Sequence, residues 1–182
     1  MGQIVATTSE PMVGAMRLQW WKEALERLDE APPPAEPRLK AAADHLLPLG
    51  ISGRDLGHLE DGWRVMLEEK IDPERIANRG RYLFALGARL LGQHEIRGGG
   101  VFALAQAARI DPSLTRAARK ALALVRTRIA PKSRPMTMLS ILAIRDLLQP
   151  GEPPATPGRA WALLKHRWNG RWPRLEGKGA SG

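Results

Sequence analysis

The chain has 182 residues, 43% hydrophobic and 26% charged, the composition and size of one globular domain. It has a net charge of +9 and no cysteine, which excludes disulfide scaffolds, thiolate metal sites and a cysteine nucleophile. No apolar run approaches the roughly 18 residues of a membrane-spanning helix, and the first residues do not read as a signal peptide.

Helical periodicity runs through the whole sequence. With two Phe, one Tyr and no sustained apolar/polar alternation, strand signals are nearly absent. The fold class expected is therefore all-α. A first helix is expected over Ser9–Asp29, with Ser9 as cap and Val13, Met16, Trp20, Ala24 and Leu28 as its buried stripe. The Pro32–Pro34 run ends it, and an extended linker follows to Pro37. A second helix spans Arg38–Leu47. A third opens on a capping box, Ser52 with Asp55, and buries Leu56, Leu59, Trp63, Met66 and Leu67. Asp72-Pro73 starts a fourth, whose inward residues are Ile76, Leu83, Leu86 and Leu90, and Gly92 ends it.

Gly98–Gly100 reads as a hinge before a helix over Val101–Ile110. Asp111-Pro112 breaks the chain again, and Ser113 caps a helix to Ile129. Pro131 and Pro135 flank a basic loop, and Met136–Leu148 forms the next helix. A proline-rich connector, 150–157, leads to a last helix over Gly158–Trp168. Residues 1–177 read as one helical domain and 178–182 as a flexible tail.

Charge is unevenly spread along this series. Residues 1–91 sum to −2 and residues 92–182 to +11. A basic half calls for an anionic partner: nucleic acid, an anionic membrane surface or an acidic protein. Arginine-rich coding gives the same count without function, since 21 of the 28 basic residues are Arg.

Catalytic constellations are sparse. The four histidines are isolated and read as surface or helix-end residues. Glu26, Asp29 and Glu30 read as a solvated acidic cluster. No residue set is assigned to a metal. The positive constellation is C-terminal. Trp161 and Trp168 fall on one stripe with Leu164, Trp172 extends it, and Lys165, His166, Arg167, Arg171 and Arg174 interleave with it. Three roles fit: a stripe docked on the core, a membrane-interface helix, or a platform for single-stranded nucleic acid. No recognised nucleic-acid motif supports the last.

Five stretches, in order, resemble the squalene/phytoene synthase family: Glu10–Leu25 with its Arg and Trp pair, the proline-rich linker 32–37, Leu59–Trp63 with its Asp-Gly, Asn78–Gly92, and Arg159–Arg167. The resemblance implies an isoprenoid-synthase-like helical bundle. In active members it implies head-to-head condensation of two prenyl diphosphates, with two aspartate-rich helices holding Mg²⁺ on the leaving diphosphate. It offers Trp20, Gln106 and Arg109 as substrate-pocket candidates.

The metal-binding positions depart from the family. The first aspartate-rich helix would lie upstream of Met1, which implies a short N-terminus and a bundle lacking its first helices. With Arg109 placed on the family arginine, the asparagine position holds Gln106 and the aspartate positions hold Ile110 and Leu114. Aliphatic side chains cannot coordinate Mg²⁺. The expectation is a degenerate, non-catalytic member, similar to the synthase-like assembly factors of respiratory complex I. It would bind an isoprenoid lipid or a membrane-associated partner, in the cytoplasm and peripherally on the inner membrane. No cofactor is then expected. The alternative is an active prenyltransferase, and Mg²⁺ enters only with that alternative.

Overall fold

Local sequence chemistry starts and stops most of the elements seen in the computed structural model, which describes residues 1–125, 128–153 and 155–173. Arg174 and the expected tail at 178–182 lie outside the described residues. Every regular element among the described residues is a helix. The α-helices are α1 (Gly2–Thr7), α2 (Pro11–Glu26), α3 (Pro37–His45), α4 (Gly53–Gly57), α5 (Asp61–Arg64), α6 (Pro73–Leu90), α7 (Gly99–Ala107), α8 (Thr115–Leu124), α9 (Arg134–Leu148) and α10 (Pro157–Asn169). Short 3₁₀ turns follow several of them. Proline opens α2, α3, α6 and α10, where its missing N–H costs nothing. Asp72 and Thr156 cap α6 and α10 through their side chains, and the Ser52–Asp55 capping box forms as expected.

α7 lies at the centre. Its sequence is nearly all small and apolar, and Val101, Ala103, Leu104, Ala105 and Ala107 are all buried. α6, α8 and α9 pack on it. Gly98 enters the helix at φ +108°, a backbone shape that suits glycine. The glycine run is a contact rather than a hinge. A Cβ on Gly99 would sit 2.1 Å from the Gly80 carbonyl oxygen, and one on Gly80 would sit 1.9 Å from that of Gly99. The α6 and α7 backbones touch there.

Several expected faces and caps are corrected. On α2, Val13, Met16 and Trp20 are exposed with Met12, and Gly14 and Leu18 are buried instead. Ser9 does not cap that helix; Glu10 holds the N-cap position. The third helix is a broken run, α4, a 3₁₀ turn, α5 and another 3₁₀ turn, because the tight approach buries Gly53, Gly57, Glu60, Gly62 and Val65. The expected Leu56, Leu59, Trp63, Met66 and Leu67 are only half-buried. Leu90 of α6 is exposed. The helix expected to reach Ile129 stops at Leu124, and Asp111, not Ser113, supplies the cap ahead of it. The basic loop around Pro135 is the first turn of α9, which begins at Arg134. Asp29 is not merely solvated: its carboxylate accepts from the backbone N–H of Gly53 (2.5 Å) and Arg54 (2.9 Å), capping α4 from a distant segment.

Candidate functional site

Three features stand out: the outer face of α10, a groove at the start of α7, and a cavity over Arg79.

α10 turns one face to solvent. Trp161 is 63% exposed, Leu164 56% and Trp168 85%. At about 100° per residue these three share one stripe, with Lys165 on one flank and Arg167 on the other. The docked-stripe reading is thereby overturned for these residues. The buried residue is His166, which corrects its reading as a surface histidine. Its Nδ1 donates to the Arg171 carbonyl at 3.0 Å, which leaves Nε2 to accept from the Thr137 hydroxyl at 2.7 Å. Trp172 does not join the exposed face. It lies half-buried against Val101, Leu122 and Ile144, with its ring 6.2 Å from that of His166. Among the described residues, no carboxylate pairs with Lys165, Arg167 or Arg171.

Burial lowers the pKa of His166, and the charge of nearby Arg134 adds to this, against the opposing bond to Arg171. The unfolded chain, near the ordinary 6.5, therefore binds a proton more readily than the fold does. This contribution to stability is complete above about pH 6.5 and is lost as the pH falls below it. The expected result is a urea midpoint lower at pH 5 than at pH 7.5, with the difference reduced in His166→Gln. An unchanged pH dependence in that variant would contradict the assignment.

The groove has a volume of about 780 Å³ and is walled by α6, α7, α8 and the 94–98 loop. Ala77, Ile96, Val101, Leu104, Ala121 and Val125 give it an apolar lining, and Arg81, Arg97 and Lys120 stand on it. Arg81 bonds Glu74 and Asn78, and Arg97 bonds Glu95.

The cavity over Arg79 holds about 570 Å³ and is lined by residues of the 58–62 segment and of α6. Arg79 is 6% exposed. Its guanidinium carbon lies 3.4 Å from the centre of the Trp63 ring, its Nη2 donates to Gln106 Oε1 (3.2 Å) and more weakly to Ala103 O (3.4 Å), and its buried Nη1 has no partner. Desolvation lowers its pKa to about 9.

The resemblance-based candidates are not gathered in one place. Trp20 is half-exposed on α2, edge-on to Trp21 at 5.2 Å. Gln106 holds the Arg79 guanidinium. Arg109 is exposed and pairs with Asp146 of α9 at 2.9 Å. None of the three lines either cavity. Sequence reasoning missed Arg79. The available signal was phase: position 79 falls on the buried side of α6 with Ile76, Ala77 and Gly80, where a charge is out of place.

No protein-family model, no curated protein and no solved structure matches the chain.

Proposed function

We propose that the protein binds an anionic membrane surface peripherally through α10, as a non-catalytic relative of the squalene/phytoene synthases with an isoprenoid-synthase-like bundle. The observation that carries this is the exposed Trp161–Leu164–Trp168 stripe flanked by Lys165 and Arg167. Indole rings favour the bilayer interface, and each cation near an anionic leaflet adds about 1 kcal/mol. No helix among the described residues is long and apolar enough to cross a membrane. The excess positive charge of residues 92–182 favours the same surface. The apolar groove beside α7 supports an isoprenoid lipid as the bound molecule, its hydrocarbon chain along Ala77, Leu104 and Ala121. Ile110 and Leu114, at the positions where the family carries aspartate, support a binding role rather than diphosphate chemistry.

Co-sedimentation with vesicles tests this. Binding is expected to phosphatidylglycerol-containing vesicles and not to pure phosphatidylcholine, and to weaken in high salt. Trp161→Ala with Trp168→Ala is expected to reduce affinity at least about tenfold, because each large apolar side chain removed from water contributes about 1.5–3 kcal/mol when fully buried. The double variant removes only exposed side chains, so its far-UV circular dichroism should not change. Equal binding by variant and wild type would overturn the assignment to α10.

A further inference from the structure

α8 carries a second exposed cationic face. At about 100° per residue, Arg116, Arg119, Lys120 and Leu124 fall on one arc. Ala118 and Leu122 hold the opposite, buried side. The three cations are exposed, and among the described residues none of them has a carboxylate partner. Cations of other helices do: Arg75, Arg89 and Arg145 each pair with an acid. The sequence around α8 supplies no counter-charge, since between Asp111 and Asp146 there is no Asp or Glu. Leu124 ends the arc and is 76% exposed. Cations beside an uncovered apolar tip repeat the chemistry of the α10 face, with one leucine where α10 has tryptophans.

The end of α8 lies beside the end of α10. Shortly after α8, Arg128 Nε donates to the Asn169 carbonyl (3.0 Å) and the Ile129 N–H donates to the Gly170 carbonyl (2.9 Å). Trp172 packs on the cluster that contains Leu122 of α8. The two cationic faces therefore meet at one end of the molecule. Lys120 and Leu124 also line the apolar groove, so part of its rim belongs to the α8 arc. A polyanion in water would satisfy the three cations and leave Leu124 uncovered. Headgroups lying over hydrocarbon satisfy both.

We propose that α8 makes a second contact with the anionic membrane surface, in which Arg116, Arg119 and Lys120 meet the headgroups, Leu124 enters the apolar layer, and the rim of the groove is turned to the bilayer. This rests on the membrane reading of α10 and extends it. α10 supplies most of the apolar insertion, and α8 supplies most of the electrostatic hold.

The chain has no cysteine, so one introduced thiol gives a position-specific probe. Leu124→Cys, Trp161→Cys and Met16→Cys are each labelled with an environment-sensitive fluorophore. Met16 is the control: it is 68% exposed on α2, a helix that packs with α1, α4 and α5. On addition of phosphatidylglycerol vesicles, the probes at 124 and 161 are expected to shift to the blue and to be quenched by nitroxide-labelled lipid. The probe at 16 is expected to do neither. In the unlabelled protein, Arg116→Gln with Arg119→Gln and Lys120→Gln is expected to lose at least about tenfold in vesicle affinity, because each cation close to an anionic leaflet contributes about fivefold. Its far-UV circular dichroism should not change, since all three side chains are exposed. A response at 161 with none at 124 overturns the α8 contact and leaves the α10 reading standing. A response at 124 with none at 161 does the reverse, and silence at both positions overturns both. An equal response at 16 also overturns the α8 contact, since binding would then have no fixed face. So does wild-type vesicle affinity in the triple variant, and loss of binding to single-stranded RNA in that variant would then assign the cations to nucleic acid.

Discussion

Gly80→Ala should destabilise the protein by at least about 3 kcal/mol, the upper range for a methylene forced into a packed interior. The added Cβ would meet the Gly99 carbonyl oxygen at 1.9 Å and the Ala103 Cβ at 2.6 Å. Neither obstacle is the end of a flexible side chain, so relief requires α6 and α7 to separate. That separation would loosen Ala77, Ala103 and Ala107 together, since all three belong to one buried cluster. The helix-propensity gain of alanine over glycine, about 1 kcal/mol, is too small to offset it. Gly87→Ala on the same helix is the control. Its Cβ would meet only the flexible end of Met136, which can move aside, so a change within about 1 kcal/mol is expected. Urea unfolding followed by far-UV circular dichroism compares the two variants. A Gly80→Ala protein as stable as wild type would show that the α6–α7 backbone contact does not limit packing.

That contact shows where a one-dimensional reading stops. Three consecutive glycines read as a hinge in one dimension, but a point of close approach needs the same absence of a side chain. Only the position of Gly80 on another helix, 19 residues earlier, decides between them. The all-α class and most element starts were legible because they rest on local chemistry: Pro73 after Asp72 and the Ser52–Asp55 box. Caps supplied from a distance were not legible. Asp29 looks like one of several acids in a cluster until it is seen accepting from Gly53 and Arg54.

Faces were harder still. On α2 the period of apolar residues is real, but Met12, Val13, Met16 and Trp20 make up an exposed stripe while Gly14 and Leu18 face inward. Periodicity finds a stripe and leaves open whether this chain covers it. The same ambiguity held for α10, where the sequence allowed both a docked and a free tryptophan face. The outcome there follows from His166, a polar residue on the inner side of α10, and from Arg134 of α9, which together anchor the helix by hydrogen bonds. Arg79 was missed for a related reason: an arginine is ordinarily assigned to the surface, and its burial against Trp63 depends on α5 crossing α6.

Arg134→Met is the second substitution with a large expected effect, and it links the fold to the proposed membrane face. Arg134 is buried at the start of α9 and donates Nε to the Ile129 carbonyl (3.2 Å) and Nη1 to the carbonyls of Arg167 (2.9 Å) and Trp168 (2.8 Å). The last carbonyls of a helix lack partners within it and carry its negative dipole end, so a buried cation there serves both needs. The Gly170 carbonyl accepts from Ile129 N–H at 2.9 Å and the Asn169 carbonyl from Arg128 Nε at 3.0 Å, so the whole end of α10 is tied to the strap entering α9. Methionine fills the volume but donates nothing, leaving three carbonyls short of a charged donor. The expected cost is about 3 kcal/mol, the scale of hydrogen bonds to a charged group lost from a buried site. Arg134→Lys should fall between wild type and methionine, since one ammonium cannot reproduce the planar fork. Amide hydrogen exchange should rise through residues 160–170 before it rises in α7, because the loss is local to the end of α10. Vesicle binding should weaken in parallel with that loss of protection, whereas Trp161→Ala with Trp168→Ala should reduce affinity at least about tenfold with protection intact. If Arg134→Met leaves exchange in α10 at wild-type levels, the carbonyl clamp does not hold this helix, and the rigid presentation of its tryptophan face must come from its other ties, the His166–Thr137 bond, the Arg159–Asp146 pair and the Ile129–Gly170 bond.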